Sequence, residues 1–420
     1  MKVLNFANVA GKNRGGGVHE VVYSFFRVQN TINIDAHLWF PGFISEEEEL
    51  KSELPSTDKK KVKALPTFLN PNFGLLKDRA VIKKELSNFD VIHQHGAWLP
   101  ISKLCSFAKK NTGAPFLLQP HGYFEPYRLG LSKTKKKMSY FLFEKRNIEL
   151  SDILVACSHD EYEKLRELFP SKDIAIIPNG VSESFLKSKS KGDYFHNKKF
   201  GEKKNMLFLS RIHSLKGLER LFEVFSELET TFRKHWNLVI AGEGEAAYID
   251  SLKDLVTILG IKKNVFFEGP VFGEDKINIM SSANFFVLPT FNENYGIVIA
   301  ESLSKGVPAI TTKGAPWSLL NQENCGLWVD NDNTGIKNGL IKAFNMTEEE
   351  MSVLKTNCLK VSKEHFLWEN IVPKTKELYK WLLKEIDEKP NFVFLGDKSK
   401  KNPDIFNVFH KKVKNNGSKV

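Results

Sequence analysis

Val287–Thr312 reads VLPTFNENYGIVIAESLSKGVPAITT. It is an apolar strand ending at Pro289, a loop carrying Glu293, a glycine at 296, a helix holding Glu301, and a second apolar strand, Ala309–Thr311. Strand, helix and strand in that order are the unit from which parallel sheets are built. The rhythm extends backward through Met206–Ser210, Leu238–Ala241, Val265–Glu268 and Phe285–Leu288, with helix-length segments of three-and-four apolar spacing between them. It also fills the first half, where Val3–Ala7 precedes a glycine-rich turn and the helix-like Val18–Gln29, and where Asp90–His93, Phe116–Gln119 and Ile153–Ser158 are further short apolar runs. The expected class is α/β, with two parallel sheets each flanked by helices.

Ser182–Asn205 is rich in Lys, Ser and Gly and poor in apolar residues, which makes it the expected seam between two domains. The predicted organisation is a first domain over residues 1–190 and a second over 191–365. A C-terminal helix follows within 366–386, beginning near His365 and packing back on the first domain. The basic tail over 387–420, ending KKVKNNGSKV, is expected to be flexible. Thr57–Lys63 reads as an exposed, lysine-rich loop.

Length and composition agree with this division. The chain has 420 residues, 41% hydrophobic and 26% charged, enough for two ordinary cores. Lys and Arg number 61 against 50 Asp and Glu, a formal charge of +11 that favours anionic partners: nucleotide phosphates, lipid phosphates or a membrane surface. No nucleic-acid recognition motif accompanies the charge, so nucleic acid is not an expected partner. The four cysteines, Cys105, Cys157, Cys325 and Cys358, are scattered without CxxC pairing and read as reduced thiols of a cytoplasmic protein. No apolar run approaches the ~20 residues that cross a bilayer.

Four features carry possible chemistry. Gly15, Gly16 and Gly17 stand between the opening strand and a helix, where backbone amides at the helix start can meet a phosphate; GGG alone is also common for steric reasons. Arg211 and Lys216, in LSRIHSLKGLERL, follow the strand Met206–Ser210, and two cations there can neutralise a diphosphate; the plainer alternative is a solvated basic helix start. His93 sits at a strand end with His95 just beyond it, and His121 follows another strand between Pro120 and Gly122. His93, inside an apolar run, reads as a satisfied core residue; His121 is the stronger functional candidate, and His95 a candidate on the acceptor side. The fourth feature is Glu293 with Glu301, seven residues between them, one in a loop and one about two turns along a helix. Only a long ligand reaches both, with a sugar hydroxyl at one end and a ribose diol at the other, since carboxylates accept paired hydroxyl donors well. Glu301 also fits a buried structural acid.

With these residues in hand, the chain resembles the family-4 glycosyltransferases, the retaining group with GT-B architecture: two Rossmann-like domains facing each other across a deep cleft. The resemblance runs from Met1 to about Ile386. It rests on GGGVHE (15–20), DVIHQHGAW (90–98), QPHGYFEP (119–126), IIPNGV (176–181), LSRIHSLKGL (209–218), AGEGE (241–245), ENYGIVIAE (293–301) and GVPAITTKGAPW (306–317). Several of these are similar to a subgroup found in bacterial surface-polysaccharide assembly.

The resemblance implies roles. Amides around Gly16 and Gly17 would face the donor phosphate, and Arg211 and Lys216 would hold the diphosphate. Glu293 would bind donor-sugar hydroxyls, with the amides of Asn294, Tyr295, Gly296 and Ile297 beside it. Glu301 would bind the ribose diol, Glu243 would lie on the nucleotide side, and His121 would face the sugar. Asp330–Asp332 spells DxD, a metal signature in a different class of sugar transferases, but its neighbours Asn333 and Gly335 make it a turn. No cofactor and no metal are expected. The implied reaction moves a hexose-type sugar from a nucleotide-sugar to a glycan or polyprenyl-linked acceptor with retention, the leaving diphosphate helping to deprotonate the acceptor. A nucleotide-sugar 2-epimerase and a non-catalytic sugar-binding relative are the alternatives; the paired glutamates in their ENYGI context weigh against the first, and the full set of Arg211, Lys216, Glu293 and Glu301 against the second. LSKTKKKMSYFLFEKRNIEL (131–150) joins lysines to aromatics and fits either a helix with its aromatics in the core, the reading preferred here, or an anionic membrane contact on the cytoplasmic side.

Overall fold

The computed structural model describes residues 1–7, 16–52, 54–65, 79–98, 100–195 and 200–408. Gly15 and the tail end 411–420 lie outside the described residues.

Seven parallel strands come first: β1 (Lys2–Ala7), β2 (Asp35–Pro41), β3 (Val62–Leu65), β4 (Val91–His95), β5 (Phe116–Gln119), β6 (Ile153–Ala156) and β7 (Ile174–Ile176). Six more follow: β8 (Lys204–Leu209), β9 (Trp236–Ala241), β10 (Val265–Gly269), β11 (Phe285–Leu288), β12 (Ala309–Thr312) and β13 (Gly326–Val329). A short β14 (Val393–Phe394) comes last. They form an eight-stranded sheet, β14-β7-β6-β5-β4-β1-β2-β3, and a six-stranded sheet, β10-β9-β8-β11-β12-β13. Among the described residues, only β14 runs antiparallel to its neighbour, β7. All five residues of β4 and all six of β9 are buried. Successive side chains point to opposite faces, so complete burial means that both faces of those strands are covered. In each sheet the chain steps outward one way from its first strand, then returns to the other side of it. The order therefore reverses between β1 and β4, and between β8 and β11. Ligands of such sheets bind beyond the carboxyl ends of the strands at that reversal.

The chain divides into two compact units, Met1–Asn179 with Trp368–Val420, and Gly180–Leu367. The first boundary thus falls before the Lys/Ser/Gly-rich segment and not inside it. Val181 and Leu367, at the two ends of the second unit, pair as a parallel bridge, with Val181 N donating to Phe366 O at 2.6 Å.

Three expectations need correction. The segment taken as one helix from His365 is broken: Ser362–Phe366 is a π-type turn, Leu367 is extended, and the helix proper is Trp368–Leu382. The break lets the chain leave the second unit and join the first, where the helix packs on Gly16–Thr31 with Trp368 against Phe25 at 5.3 Å. The tail is not flexible through residue 408, because β14 extends the first sheet and Ile405 and Phe406 are buried in the first unit's core. Thr57–Lys63 is not a loop throughout, since Ser56–Lys59 is helical and Val62 is buried in β3 beside β2.

Candidate functional site

In the second unit the chain leaves β8 through Ser210–Lys216 and leaves β11 through Pro289–Gly296, the two exits that flank the order reversal. Lys216 ends a 3-10 turn and Gly217 follows in the left-handed region at φ 70°. A Cβ on Gly217 would stand 2.2 Å from the Pro289 carbonyl oxygen, so only glycine lets the two exits close on each other. Leu215 O then accepts from Phe291 N (2.9 Å) and Thr290 Oγ1 (3.0 Å). The outcome is an ion pair between Lys216 Nζ and Glu293 Oε2, the two side chains 13% and 18% exposed. Sequence reasoning had selected both residues, and the structure brings them together. Arg211 is exposed and forms no ion pair with a described residue.

Arg220 was not singled out from the sequence. Its buried guanidinium donates to Pro289 O through Nε (3.0 Å) and Nη2, and to Asn331 Oδ1 at 2.8 Å, while lying 3.9 Å over the Phe291 ring. Burial lowers its pKa to about 10. Arg220 thus pins the start of the loop that carries Glu293. Nothing in LERL marks it beyond a charge on a face that also holds Leu218 and Leu221.

Tyr295 is buried beside Trp317, whose indole N–H donates to the Tyr295 carbonyl, and Gly296 turns into the helix Ile297–Ser304 at φ 75°. The amides of Asn294–Ile297 therefore lie at a helix start. Glu301, on the buried side of that helix, pairs through Oε1 with Lys276 Nζ at 2.5 Å. Glu293 and Glu301 thus have different lysine partners. Glu243 has an exposed side chain, and its carbonyl accepts from Ile212 N at 2.7 Å, holding the β9 exit against the β8 exit. In the DxD segment, Asp332 caps the helix Asn333–Phe344 by accepting from Gly335 N (2.7 Å), and Asp330 pairs with Lys313.

In the first unit, Gly16 and Gly17 open the helix Gly16–Thr31, whose first amides lack intrahelical acceptors. His95 is the last residue of β4 and not beyond it, and is level with Ala7 of β1 and Gln119 of β5. His121 has φ 51°, an uncommon backbone state for a residue with a side chain. Glu161 holds that turn by accepting from Gly122 N (2.6 Å) and Cys157 N (2.8 Å). His121 Nε2 lies 3.1 Å from His95 Nδ1, and both rings are buried. Burial and the neighbouring His93 and His121 hold His95 well below the usual imidazole pKa; burial, with Arg128 nearby, takes His121 down to about 3. Both are neutral at physiological pH. His93 is buried and bonds Tyr379, as a core residue would.

Comparison with known proteins completes the picture. Residues 15–185 match the model of Glycosyltransferase Family 4, and residues 191–357 match that of Glycosyl transferases group 1. An uncharacterised glycosyltransferase of Methanocaldococcus jannaschii is 30% identical over 181 residues, 43% of this chain; the chain spans 45% of that relative's length. The Escherichia coli UDP-Gal:alpha-D-GlcNAc-diphosphoundecaprenol alpha-1,3-galactosyltransferase is 26% identical over 344 residues, covering 75% of this chain and 82% of its own. Among solved structures, Anabaena HepE in complex with UDP and glucose superposes with a TM-score of 0.71 at 15% identity, over 92% of this chain and 100% of its own.

Proposed function

We propose that this chain, which belongs to the family-4 glycosyltransferases with GT-B architecture, transfers a hexose-type sugar from a nucleotide-sugar to a glycan or polyprenyl-linked oligosaccharide, with retention, in cell-surface polysaccharide synthesis. The observation that carries this reading is the Lys216–Glu293 pair at the strand-order reversal between β8 and β11. A nucleotide-sugar presents a diphosphate next to a sugar, and a cation next to a carboxylate matches those two groups in the same order. On binding, Lys216 exchanges its carboxylate for the diphosphate, joined by the exposed Arg211, and Glu293 is released to accept sugar hydroxyls. The amides of Asn294–Ile297 lie beside it, and Glu301 takes the ribose diol. Within the first unit, taken by itself, His121 is the group proposed to meet a sugar and the helix start at Gly16 and Gly17 the one proposed to meet a phosphate.

The leaving diphosphate, stabilised by Lys216 and Arg211, takes the proton of the attacking acceptor hydroxyl on the same face of the sugar. The protein contributes position and charge. These cations fill the role a metal plays elsewhere, so no metal is required. The polyprenyl-linked acceptor is supported by the specificity that the E. coli relative's name carries, and UDP as the carrier by that relative and by HepE. Thermal unfolding against a panel of nucleotide-sugars in excess chelator tests the reading. A productive donor at ~100 times its Kd stabilises the fold by about 2.7 kcal/mol, a clear rise in Tm. No rise with any donor, or a rise that vanishes in chelator, defeats it.

A membrane-bound acceptor calls for a surface that meets lipid. The preferred reading of 131–150 placed its aromatics in the core, but only Tyr140 is buried there. Phe141 is 75% and Leu142 67% exposed, with Met138 and Leu131 also exposed. The π-type turn Tyr140–Glu144 turns Tyr140 and Glu144 inward and Phe141 and Leu142 outward, with Phe143 half-buried. Lys133–Lys137 adjoin this apolar group, which suits an anionic bilayer. Phe141→Ser with Leu142→Ser should lower sedimentation with phosphatidylglycerol vesicles about tenfold and leave donor stabilisation intact; equal sedimentation of both proteins removes this contact.

A further inference from the structure

Asn5 stands in the middle of β1, in register with His93, and is fully buried. Its side-chain nitrogen donates to the His37 carbonyl (3.2 Å) and to Gln29 Oε1 (2.8 Å). A carbonyl only accepts, so the orientation of the Asn5 amide follows from that contact, and both of its hydrogens are used. Asn5 Oδ1 is then an acceptor, and the group facing it at 3.3 Å is His95 Nε2. His95 must carry its proton there. A neutral imidazole has one proton, so His95 Nδ1 is a bare acceptor, and His121 Nε2 at 3.1 Å must donate to it. His121 in turn has no proton on Nδ1. That atom is buried and has no hydrogen-bond partner among the described residues. In the other direction, Gln29 Nε2 donates to Tyr379 Oη (3.1 Å), freeing the phenol proton for His93 Nδ1 at 2.7 Å. One backbone carbonyl thus sets the polarity of the whole chain from His121 to His93.

We propose that Asn5 is a positioning residue for His121: acting through His95, it fixes the proton of His121 on Nε2 and leaves Nδ1 as an acceptor for a ligand hydroxyl. The proposal rests on the reading above that His121 faces the sugar. A buried acceptor without a partner is unfavourable, a penalty that a substrate hydroxyl removes on binding. The same lone pair repels a carboxylate, so the site favours a hexose over the corresponding uronic acid at the carbon it reads. The φ of 51° at His121 and the grip of Glu161 on the following amide hold the ring in place along the backbone. Asn5 supplies what backbone geometry cannot, the choice of tautomer.

Long-range ¹H–¹⁵N spectra of the full chain labelled at histidine, assigned with His121→Gln and His95→Gln, read the tautomers directly. Wild-type His121 should show the Nε2–H form throughout pH ~6–8; an Nδ1–H or imidazolium signature overturns the proposal. Asn5→Asp keeps the acceptor and adds charge, which draws a second proton onto His95 and turns its Nδ1 into a donor. His121 should then move its proton to Nδ1, and an unchanged His121 signature also overturns the proposal. In kinetics, Asn5→Asp should lower kcat by about tenfold with donor KM nearly unchanged. Added to His121→Ala, it should cost less than about twofold more, because the two act through one ring; additive losses count against it. Should the wild-type protein transfer no sugar at all, the functional reading falls, while the tautomer spectra still decide the role of Asn5. Should Asn5→Asp not fold, the wild-type spectra alone can refute the assignment.

Discussion

Beyond β8 and β11, Lys216 and Glu293 hold each other as opposite charges with each side chain still in reach of water. In the first unit, the linked side chains that run from His121 through His95, Asn5, Gln29 and Tyr379 to His93 are imidazoles, amides and a phenol, uncharged and buried. The difference is one of desolvation. A charge placed where the first unit keeps His95 would lose its hydration with no counter-ion at hand, so burial there drives protons off the rings. A partly hydrated ion pair pays less and gains less, and its net stabilisation is small. The pair can therefore change partners at little cost. The neutral chain cannot, because breaking any link strands a buried donor or acceptor. On the proposed reading, the ion pair of the second unit can exchange partners with a charged ligand, whereas the neutral chain of the first holds one geometry.

The largest effect that breaks this comparison comes from the ion pair. Lys216→Ala and Glu293→Ala should each reduce transfer by about a thousandfold, the scale of losing one charge-stabilising group. Both variants should keep a native circular dichroism spectrum. Near-normal turnover in either would show that the pair is structural and that the contrast has no catalytic meaning.

A smaller effect sharpens the contrast, because it concerns a carboxyl in the neutral unit. Glu144 is fully buried among Trp98 N (3.1 Å) and Asn147, and burial pushes its pKa up to about 7 from the ordinary 4.5. Between those values the unfolded chain has released this proton and the folded chain has kept it. The unfolded state binds fewer protons, so this contribution to stability is full below about pH 4.5 and is lost as pH rises to about 7. Glu144→Gln keeps the shape without the ionisation. Relative to wild type, its Tm should rise between pH 5 and pH 8 by roughly 5 °C. A Tm difference independent of pH would mean that Glu144 is ionised in the fold.

The sequence readings succeeded where a feature follows a strand end. Lys216 and Glu293 are 77 residues apart, yet each comes just after a short apolar run, and the strand–helix alternation implies that such exits gather at one edge of the sheet. The tandem parallel sheets were legible for the same reason. Asn5 was not, since a lone amide in VLNFA looks like any strand residue until its partners at Gln29, His37 and His95 are known. Tyr379 bonds to residues 350 and 286 positions away, and no periodicity reports that. The break at Leu367 was hidden because no Gly or Pro falls between Ser362 and Leu367 to mark it, and apolar residues continue on both sides of it. Residues 387–408 looked loose from their lysines, while Val393, Ile405 and Phe406 supply a strand edge and core contacts too sparse to form a pattern.

The first unit is assembled from both ends of the chain, with the second unit inserted between them. During synthesis Gly180–Leu367 emerges as one uninterrupted stretch and can close on itself as soon as it leaves the ribosome. The first unit is made earlier and finished later. Until Tyr379 and the strand at Val393 have been translated, Gln29 and His93 lack their phenol and β7 remains an open edge able to pair with another chain. The half of the protein made first is therefore the half whose contacts can be completed last.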